Sequence, residues 1–145
     1  EKGKKFHDRL LQLVDEDTDA FNDLMAAFGL PKNSDQEKVS RTAAIQSATK
    51  RAIEVPLEVM RVSLESMDVI QAMAEIGNPN SISDAGVGAL AARSAVLGAQ
   101  LNVRINSASL DDKKFADTAV AKATEMGNEA EVKEKAILEI VTASL

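Results

Sequence analysis

Apolar side chains near the start of the chain recur every three or four residues, which places them along one face of a helix. The positions are Leu10, Leu13, Val14, Phe21, Leu24, Met25 and Phe28. One charged residue, Asp17, interrupts this stripe. Gly29 and Pro31 follow it and are typical of a helix end. The pattern therefore predicts an amphipathic helix that ends at about Phe28.

A second helical pattern begins at Ser34. Glu37 follows three residues later, which is the spacing of a capping box, where each side chain accepts a hydrogen bond from the other residue's backbone N–H. The pattern continues to Ile76. There Gly77 predicts a left-handed residue just past the helix end, and Pro79 prevents continuation.

Pro56 lies in the middle of this pattern, where it removes one backbone hydrogen bond and clashes with the preceding turn. The sequence predicts either two helices or one kinked helix of about 40 residues. After Pro56, two apolar stripes cover most of the helix surface. One is Leu57, Met60, Leu64, Met67 and Ala74, and the other is Val59, Val62, Val69, Met73 and Ile76. We expect one stripe to face the subunit interior and the other to face a second subunit or a region that precedes this chain.

A third helix is expected to follow the loop at Asn78, capped by Ser83 and ending at about Ser107. Its early turns contain Gly86 and Gly88 among several alanines. Each glycine costs a helix roughly 1 kcal/mol unless close approach of another backbone offsets it. We therefore expect tight helix packing at this end.

A last helix, capped by Ser109 or Asp111, is expected to run from about Asp112 to Ala143. Strand-like alternation, hairpin turns and internal repeats are absent from the sequence. The predicted fold is all-α, an up-and-down bundle of long helices within a single domain over residues 1–145.

Composition narrows the function classes. The chain has 145 residues, 45% hydrophobic and 28% charged, which is typical of a folded globular domain. It has no cysteine and one histidine, which excludes disulfides, cysteine-bound zinc and multi-histidine metal sites. A net charge of -6 argues against a nucleic-acid partner, and no apolar run is long enough to span a membrane. With no signal-peptide pattern at its start, the expected location is the cytoplasm.

An acidic run lies within the first helix. It comprises Asp15, Glu16, Asp17 and Asp19, with Asp23 further along. Such runs are usually solvated helix faces. Asp17 differs because it stands three residues after Val14 and four before Phe21, so the apolar stripe is expected to carry it inward. A carboxylate held beside apolar side chains is suited to proton transfer, although a structural salt bridge is an equal alternative.

Two asparagines, Asn102 and Asn106, are spaced to share one helix face, where their amides could bind a heterocycle. From spacing alone, a role in helix register or capping is the better interpretation. Ser83 and Asp84 are most simply capping and first-turn residues. His7 receives no role.

Two long strings carry a family resemblance. They are LVDEDTDAFNDLMAAFGLPK from Leu13 to Lys32 and GNPNSISDAGVGALAARSAVLGAQLNVRINSASLDD from Gly77 to Asp112, joined by RTAAIQSATKRAIEVPLEVM. Nearly the whole chain resembles the formimidoyltetrahydrofolate cyclodeaminase and methenyltetrahydrofolate cyclohydrolase family. The resemblance implies an all-helical domain that pairs into a homodimer.

The resemblance also implies roles for residues. The second acid of the family's LVDxD motif is its catalytic carboxylate, and Asp17 matches it. Ser83, Asp84, Asn102 and Asn106 lie in a family-typical string and become candidates for folate binding. The family has a glycine-rich preceding region that this sequence lacks, so the chain is expected to be the C-terminal part of the domain, and the fragment could be inactive.

The expected activity is that of a cyclodeaminase, which closes 5-formimidoyltetrahydrofolate to 5,10-methenyltetrahydrofolate and releases ammonia, a step of histidine degradation. No metal or cofactor beyond the tetrahydrofolate substrate is expected. Methenyltetrahydrofolate cyclohydrolase is the alternative enzyme. The alternative of another class is a helical assembly domain without catalysis, in which Asp17 would be exposed or salt-bridged rather than lining a cleft with an unpaired face.

Overall fold

The computed structural model describes residues 1–145 and contains no β-strand. It has four α-helices, which are α1 (Lys2–Gly29), α2 (Asp35–Ile76), α3 (Ile82–Ala108) and α4 (Lys113–Ala143). Each helix packs against the next one, and α2 also packs against α4. The prediction of an all-α, up-and-down bundle is confirmed. None of the four helices is both long enough and apolar enough to cross a membrane.

The capping box at the start of α2 is confirmed. The Ser34 hydroxyl accepts a hydrogen bond from the Glu37 backbone N–H at 3.2 Å. The Glu37 carboxylate accepts one from the Ser34 backbone N–H at 2.9 Å. Both bonds satisfy backbone donors that have no partner within the first helical turn.

Helix α2 passes through Pro56 as one element of 42 residues, so the prediction of two separate helices is wrong. Because proline has no N–H, the carbonyl of Ala52 loses its usual helical donor. Asn106 of α3 takes that place, and its Nδ2 donates to the Ala52 oxygen at 2.7 Å. The side chain of one helix therefore repairs the break in another and holds the two together.

Helix α2 has apolar contacts on two sides. Toward α3 and α4 it contributes to a core of 18 buried residues, and toward α1 to a separate cluster of four. Met60 and Met67, of the first predicted stripe, are fully buried in the large core, whereas Val62 of the second stripe lies in the small one. The far end of the second stripe is open, since Met73 is 52% and Ile76 is 85% exposed.

The tight packing predicted for the start of α3 is present at Gly86. This residue is buried, and a Cβ atom added to it would lie 3.3 Å from Cγ1 of Val141 in α4. A larger side chain would push α3 and α4 apart. The glycine thus allows α3 and α4 to approach closely.

Two predicted helix ends between α2 and α3 are wrong. Gly77 follows α2 with φ of -76°, so it is extended rather than left-handed. Ser83 lies inside α3, whose N-cap position is Ser81. The reason is a short 3₁₀ turn at Pro79–Ser81, stabilised by the Asn78 side chain, which leads directly into the helix.

The predicted caps of α4 are also wrong. Asp112 is the cap, and its carboxylate accepts a hydrogen bond from the Phe115 N–H at 3.1 Å. Ser109 instead donates to the Asn106 carbonyl at the end of α3, and the Asp111 N–H donates to the Gln46 side chain. Because Ser109 and Asp111 bond to neighbouring elements, the cap of α4 is the next residue along the chain, Asp112.

Candidate functional site

An apolar groove of about 490 Å³ lies where α1, α2 and α3 meet. Its walls come from all three helices. They are Leu10, Leu13, Val14, Asp17 and Thr18 of α1, Pro56, Val59 and Ser63 of α2, and Ala95, Ala99 and Asn102 of α3. The groove therefore contains two of the five residues that the sequence singled out, Asp17 and Asn102.

The register of α1 on α2 places Asp17 along the groove. Asp23 forms an ion pair with Arg51 at 2.6 Å, and at the other end of α1 Gly3 lies against Val69. The two helices are therefore antiparallel. Counting along both helices from these contacts puts Asp17 level with Pro56.

The register of α3 on α2 places Asn102 at the same level. Asn106 bonds to Ala52, and Gly88 lies against Ile70 near the opposite end of α3. Asn102 precedes Asn106 by one helical turn, which puts it level with Pro56. A carboxylate and an amide thus occupy opposite walls of one groove at one height.

Asp17 is the one member of the acidic run that lines the groove. Like Asp15 and Asp19, its side chain forms neither an ion pair nor a hydrogen bond within the chain, whereas Glu16 bonds to Arg9 and Asp23 to Arg51. The choice of Asp17 from the run agrees with this placement, but the expected burial is wrong. Asp17 is exposed because the groove is open to solvent in this chain.

Charged residues border the groove where α1 crosses α2. The Arg9 guanidinium bonds to Glu16 and lowers the pKa of that carboxyl below its ordinary value. Arg61 does the same to the pKa of Glu58, which also lies 3.7 Å from Arg9. Arginines hold both glutamates in their ionised form. Asp17, which lines the groove itself, has no such partner.

The other three candidates lie outside the groove. Asn106 uses its amide N–H to hold the Ala52 carbonyl, which matches the register role that the sequence left open. Ser83 and Asp84 are exposed in the first turns of α3. Asp84 is 18 residues from Asn102 along α3, about 27 Å at the rise of an α-helix. These side chains do not form one site with Asp17.

Two groove residues escaped sequence analysis. Thr18 follows Asp17, and its hydroxyl donates to the Val14 carbonyl at 3.0 Å. Ser63 is 1% exposed, and its hydroxyl has no hydrogen-bond partner. The signal that could have identified Ser63 is its position one turn after Val59 and two turns after Pro56, on the side of α2 that faces α1 and α3.

The arrangement suits proton transfer beside a flat, largely apolar ligand. An unpaired carboxylate can accept and return a proton, and an amide opposite it can donate and accept hydrogen bonds. Alanine side chains on the α3 wall leave space for a ring. No three histidine, aspartate or glutamate side chains come together as a metal site.

Comparison with known proteins identifies the family. Residues 1–125 match the formiminotransferase-cyclodeaminase family. The chain is 45% identical over 117 residues to a methenyltetrahydrofolate cyclohydrolase of Methylorubrum extorquens, which covers 81% of this chain and 56% of that protein. It is 32% identical over 130 residues to the formimidoyltransferase-cyclodeaminase of Rattus norvegicus, covering 90% of this chain and 24% of that protein.

The fold has a solved counterpart. The formiminotetrahydrofolate cyclodeaminase of Thermotoga maritima matches with a TM-score of 0.82 and 25% sequence identity. The match covers 97% of this chain and 66% of that one. The chain therefore spans about half the length of the Methylorubrum relative, a quarter of the rat protein and two thirds of the solved structure.

Proposed function

Since the chain belongs to the formiminotransferase-cyclodeaminase family, we propose that it converts a tetrahydrofolate one-carbon derivative with Asp17 as the group that carries the proton. The observation that supports this role is the unpaired Asp17 carboxylate in the groove, level with Asn102 on the facing wall. A scaffold role predicted an exposed or salt-bridged Asp17, and an enzyme predicted an unpaired Asp17 that lines a cleft. Asp17 is exposed, but it is also unpaired in the wall of a groove, and we take the groove as the observation that favours catalysis.

Two reactions of the bridge carbon fit this arrangement. In the cyclohydrolase reaction, water attacks the carbon that joins the two folate nitrogens in the methenyl substrate. Asp17 accepts a proton from that water and returns it to one nitrogen as the bond from the carbon to that nitrogen breaks. The hydroxyl left on the carbon loses its proton to solvent, which leaves the formyl group on the other nitrogen. The 45% identity to the Methylorubrum cyclohydrolase favours this reaction for the chain.

The cyclodeaminase reaction is the second candidate, favoured by the solved Thermotoga structure. Here the anilinic nitrogen of 5-formimidoyltetrahydrofolate attacks the formimidoyl carbon and loses its proton. The carboxylate takes that proton and delivers one to the amine, which leaves as ammonia. The ring that closes is the methenyl bridge. In each reaction one carboxylate accepts a proton from the attacking group and returns a proton to the leaving nitrogen, worth about 10²–10⁴-fold in rate.

Substitution of Asp17 tests the proposal. In a full-length protein with measurable activity, Asp17→Asn keeps the shape of the side chain and removes the group that titrates. We expect turnover to fall by at least ~10²-fold while folding and folate affinity are retained. Asp15→Asn is the matched control, because Asp15 is exposed on the same helix outside the groove. Wild-type turnover by Asp17→Asn would remove the carboxylate from the mechanism.

The two reactions are separated by their products. Ammonia release from the formimidoyl compound measures the cyclodeaminase, and loss of the methenyl chromophore in neutral buffer, corrected for the spontaneous rate, measures the cyclohydrolase. A protein that hydrolyses the methenyl compound but releases no ammonia from the formimidoyl compound would exclude the histidine-degradation role. Each assay uses tetrahydrofolate derivatives alone, because we propose no further cofactor.

A homodimer is proposed from exposed apolar surface beside the groove. One stripe runs along α1 at the three- and four-residue spacing of a helix seam, through Leu11, Val14, Phe21, Met25 and Phe28. A second runs along α3 through Val87, Leu90, Leu97, Leu101 and Ile105. All ten side chains are at least 39% exposed, and apolar patches of this extent mark interfaces.

Sedimentation tests the dimer. Phe21→Glu places a charge in the centre of the α1 stripe and should shift the protein to monomer without unfolding it, because Phe21 is already 58% exposed. Val39→Glu is the control, since Val39 is 71% exposed on α2 and lies outside both stripes. A wild-type protein that sediments as a monomer at all concentrations would rule the dimer out.

We also propose a cytoplasmic location, because a chain without cysteine suits a reducing compartment.

A further inference from the structure

The hydroxyl of Ser63 is anomalous among those of the buried and half-buried residues of α2. The Thr49 hydroxyl donates to the Ile45 carbonyl at 2.8 Å, and that of Ser66 donates to the Ser63 carbonyl at 2.7 Å. Both use the backbone of the preceding turn, as helical serines and threonines usually do. Ser63 is 1% exposed and its Oγ has no partner at all.

A buried hydroxyl without a hydrogen bond is disfavoured, because it loses its contacts with water and gains nothing in return. The neighbouring groove positions, Val59 on α2 and Ala95 on α3, are apolar. An alanine at position 63 would fill the site without that cost. Ser63 differs from Ser107, whose buried hydroxyl is also unpartnered, in that it lines the groove, where a ligand can supply the missing hydrogen bond.

The position of Ser63 defines which part of a ligand it would meet. It lies seven residues after Pro56, which is about 10 Å along the helix axis. Asp17 and Asn102 are level with Pro56, so the groove has polar groups at two levels with apolar walls between them. The register of α3 puts Ala95 opposite Ser63, and its small side chain leaves room there. This spacing suits a fused two-ring heterocycle with one hydrogen-bonding edge.

We infer that Ser63 is a substrate-binding residue, whose hydroxyl bonds to the polar edge of the pterin ring at the end of the groove away from Asp17. The inference rests on the proposed function, because it takes a folate derivative as the ligand. Ser63 holds the ring, and Asp17 acts at the reacting nitrogens. Removal of the Ser63 hydroxyl should therefore weaken folate binding and leave the chemical step intact.

The test compares two unpartnered buried hydroxyls. Ser107 is 5% exposed and its Oγ also lacks a partner, but it lies outside the groove. In the full-length protein, Ser63→Ala should raise the Kd for tetrahydrofolate about tenfold, the loss of one hydrogen bond, with kcat at saturating substrate unchanged. Ser107→Ala should leave the Kd within about twofold of wild type. Neither variant should lower the melting temperature.

Three results would overturn the inference. They are an unchanged Kd in Ser63→Ala, equal weakening in both variants, and a fall in kcat without a change in Kd. If Ser63→Ala folds poorly, Ser63→Cys keeps the shape with a weaker donor, and its Kd should lie above that of wild type. A wild-type protein that binds no tetrahydrofolate would overturn the proposed function itself, and the two failures are therefore distinguishable.

Discussion

Helix α2 packs against α3 and α4 on one side and against α1 on the other, and these contacts bury different amounts of apolar side chain. The first contact is a cluster of 18 buried residues, whereas the second has four. Helix α1 buries only Leu13, Ala20 and Ala27 of its 28 residues. Since local stability follows buried apolar contact, α1 is expected to open more readily than the rest of the bundle.

The groove lies on the side of α2 that packs against α1, where few side chains are buried. The candidate carboxylate, Asp17, is carried by α1, while the facing Asn102 belongs to a helix of the large core. Two ion pairs join α1 to α2 beside the small apolar cluster, Arg9 with Glu58 and Asp23 with Arg51. The proposed activity therefore depends on a helix that is held by few buried residues.

The largest effect should come from the large core. Met67 is fully buried there, so Met67→Ala removes apolar contacts and leaves a cavity. We expect the free energy of unfolding to fall by about 2–5 kcal/mol. Chemical denaturation measures this change, and hydrogen exchange should show lost protection in α2, α3 and α4 together. A loss confined to α2 would contradict a single cooperative core.

The matched substitution on the other side is Leu13→Ala. Leu13 is 1% exposed, but its cluster joins only α1 and α2. We expect faster hydrogen exchange in α1 with little change in the other three helices, and lower activity because Asp17 moves with α1. If protection falls equally in all four helices, α1 and the core form one folding unit and the distinction fails.

Asn106 and Asn102 of α3 differ in role, because one stabilises the fold and the other lines the groove. Asn106→Ala leaves the Ala52 carbonyl without a donor, so the free energy of unfolding should fall by about 1–3 kcal/mol. Asn102→Ala, at an exposed position without hydrogen bonds, should change it by less than about 0.5 kcal/mol and weaken folate binding instead. Thermal melts and substrate titrations of both variants measure this. The reverse pattern would exchange the two roles.

The smallest effect concerns acid. The folded-state pKa values of Glu16 and Glu58 lie below their ordinary values because of Arg9 and Arg61. Their contribution to stability is therefore complete above the unfolded pKa and is lost as the pH falls through the lower, folded pKa values. Exchange in α1 should accelerate there more than in α4. Arg9→Gln should reduce this difference, and no reduction would show that these pairs do not hold α1.

Local sequence determined a large part of the structure. The four helices, the capping box at Ser34 and the close approach at Gly86 follow from periodicity, capping chemistry and side-chain size, which act within a few residues. Asp17 could be selected from its acidic run for the same reason, because helical spacing alone places it beside the apolar stripe. The caps at Ser83, Ser109 and Asp111 were wrong because neighbouring turns and distant side chains competed for the same groups.

The hydrogen-bond partners and the exposure of those residues depend on how the four helices pack. Pro56 is visible in the sequence, but the donor that replaces its missing N–H comes from Asn106, 50 residues later. The exposure of Asp17 depends on how far three helices close around the groove, and the unpartnered state of Ser63 depends on what surrounds it. Helix formation is governed by neighbours in the chain, whereas burial and hydrogen-bond satisfaction are properties of the packed whole.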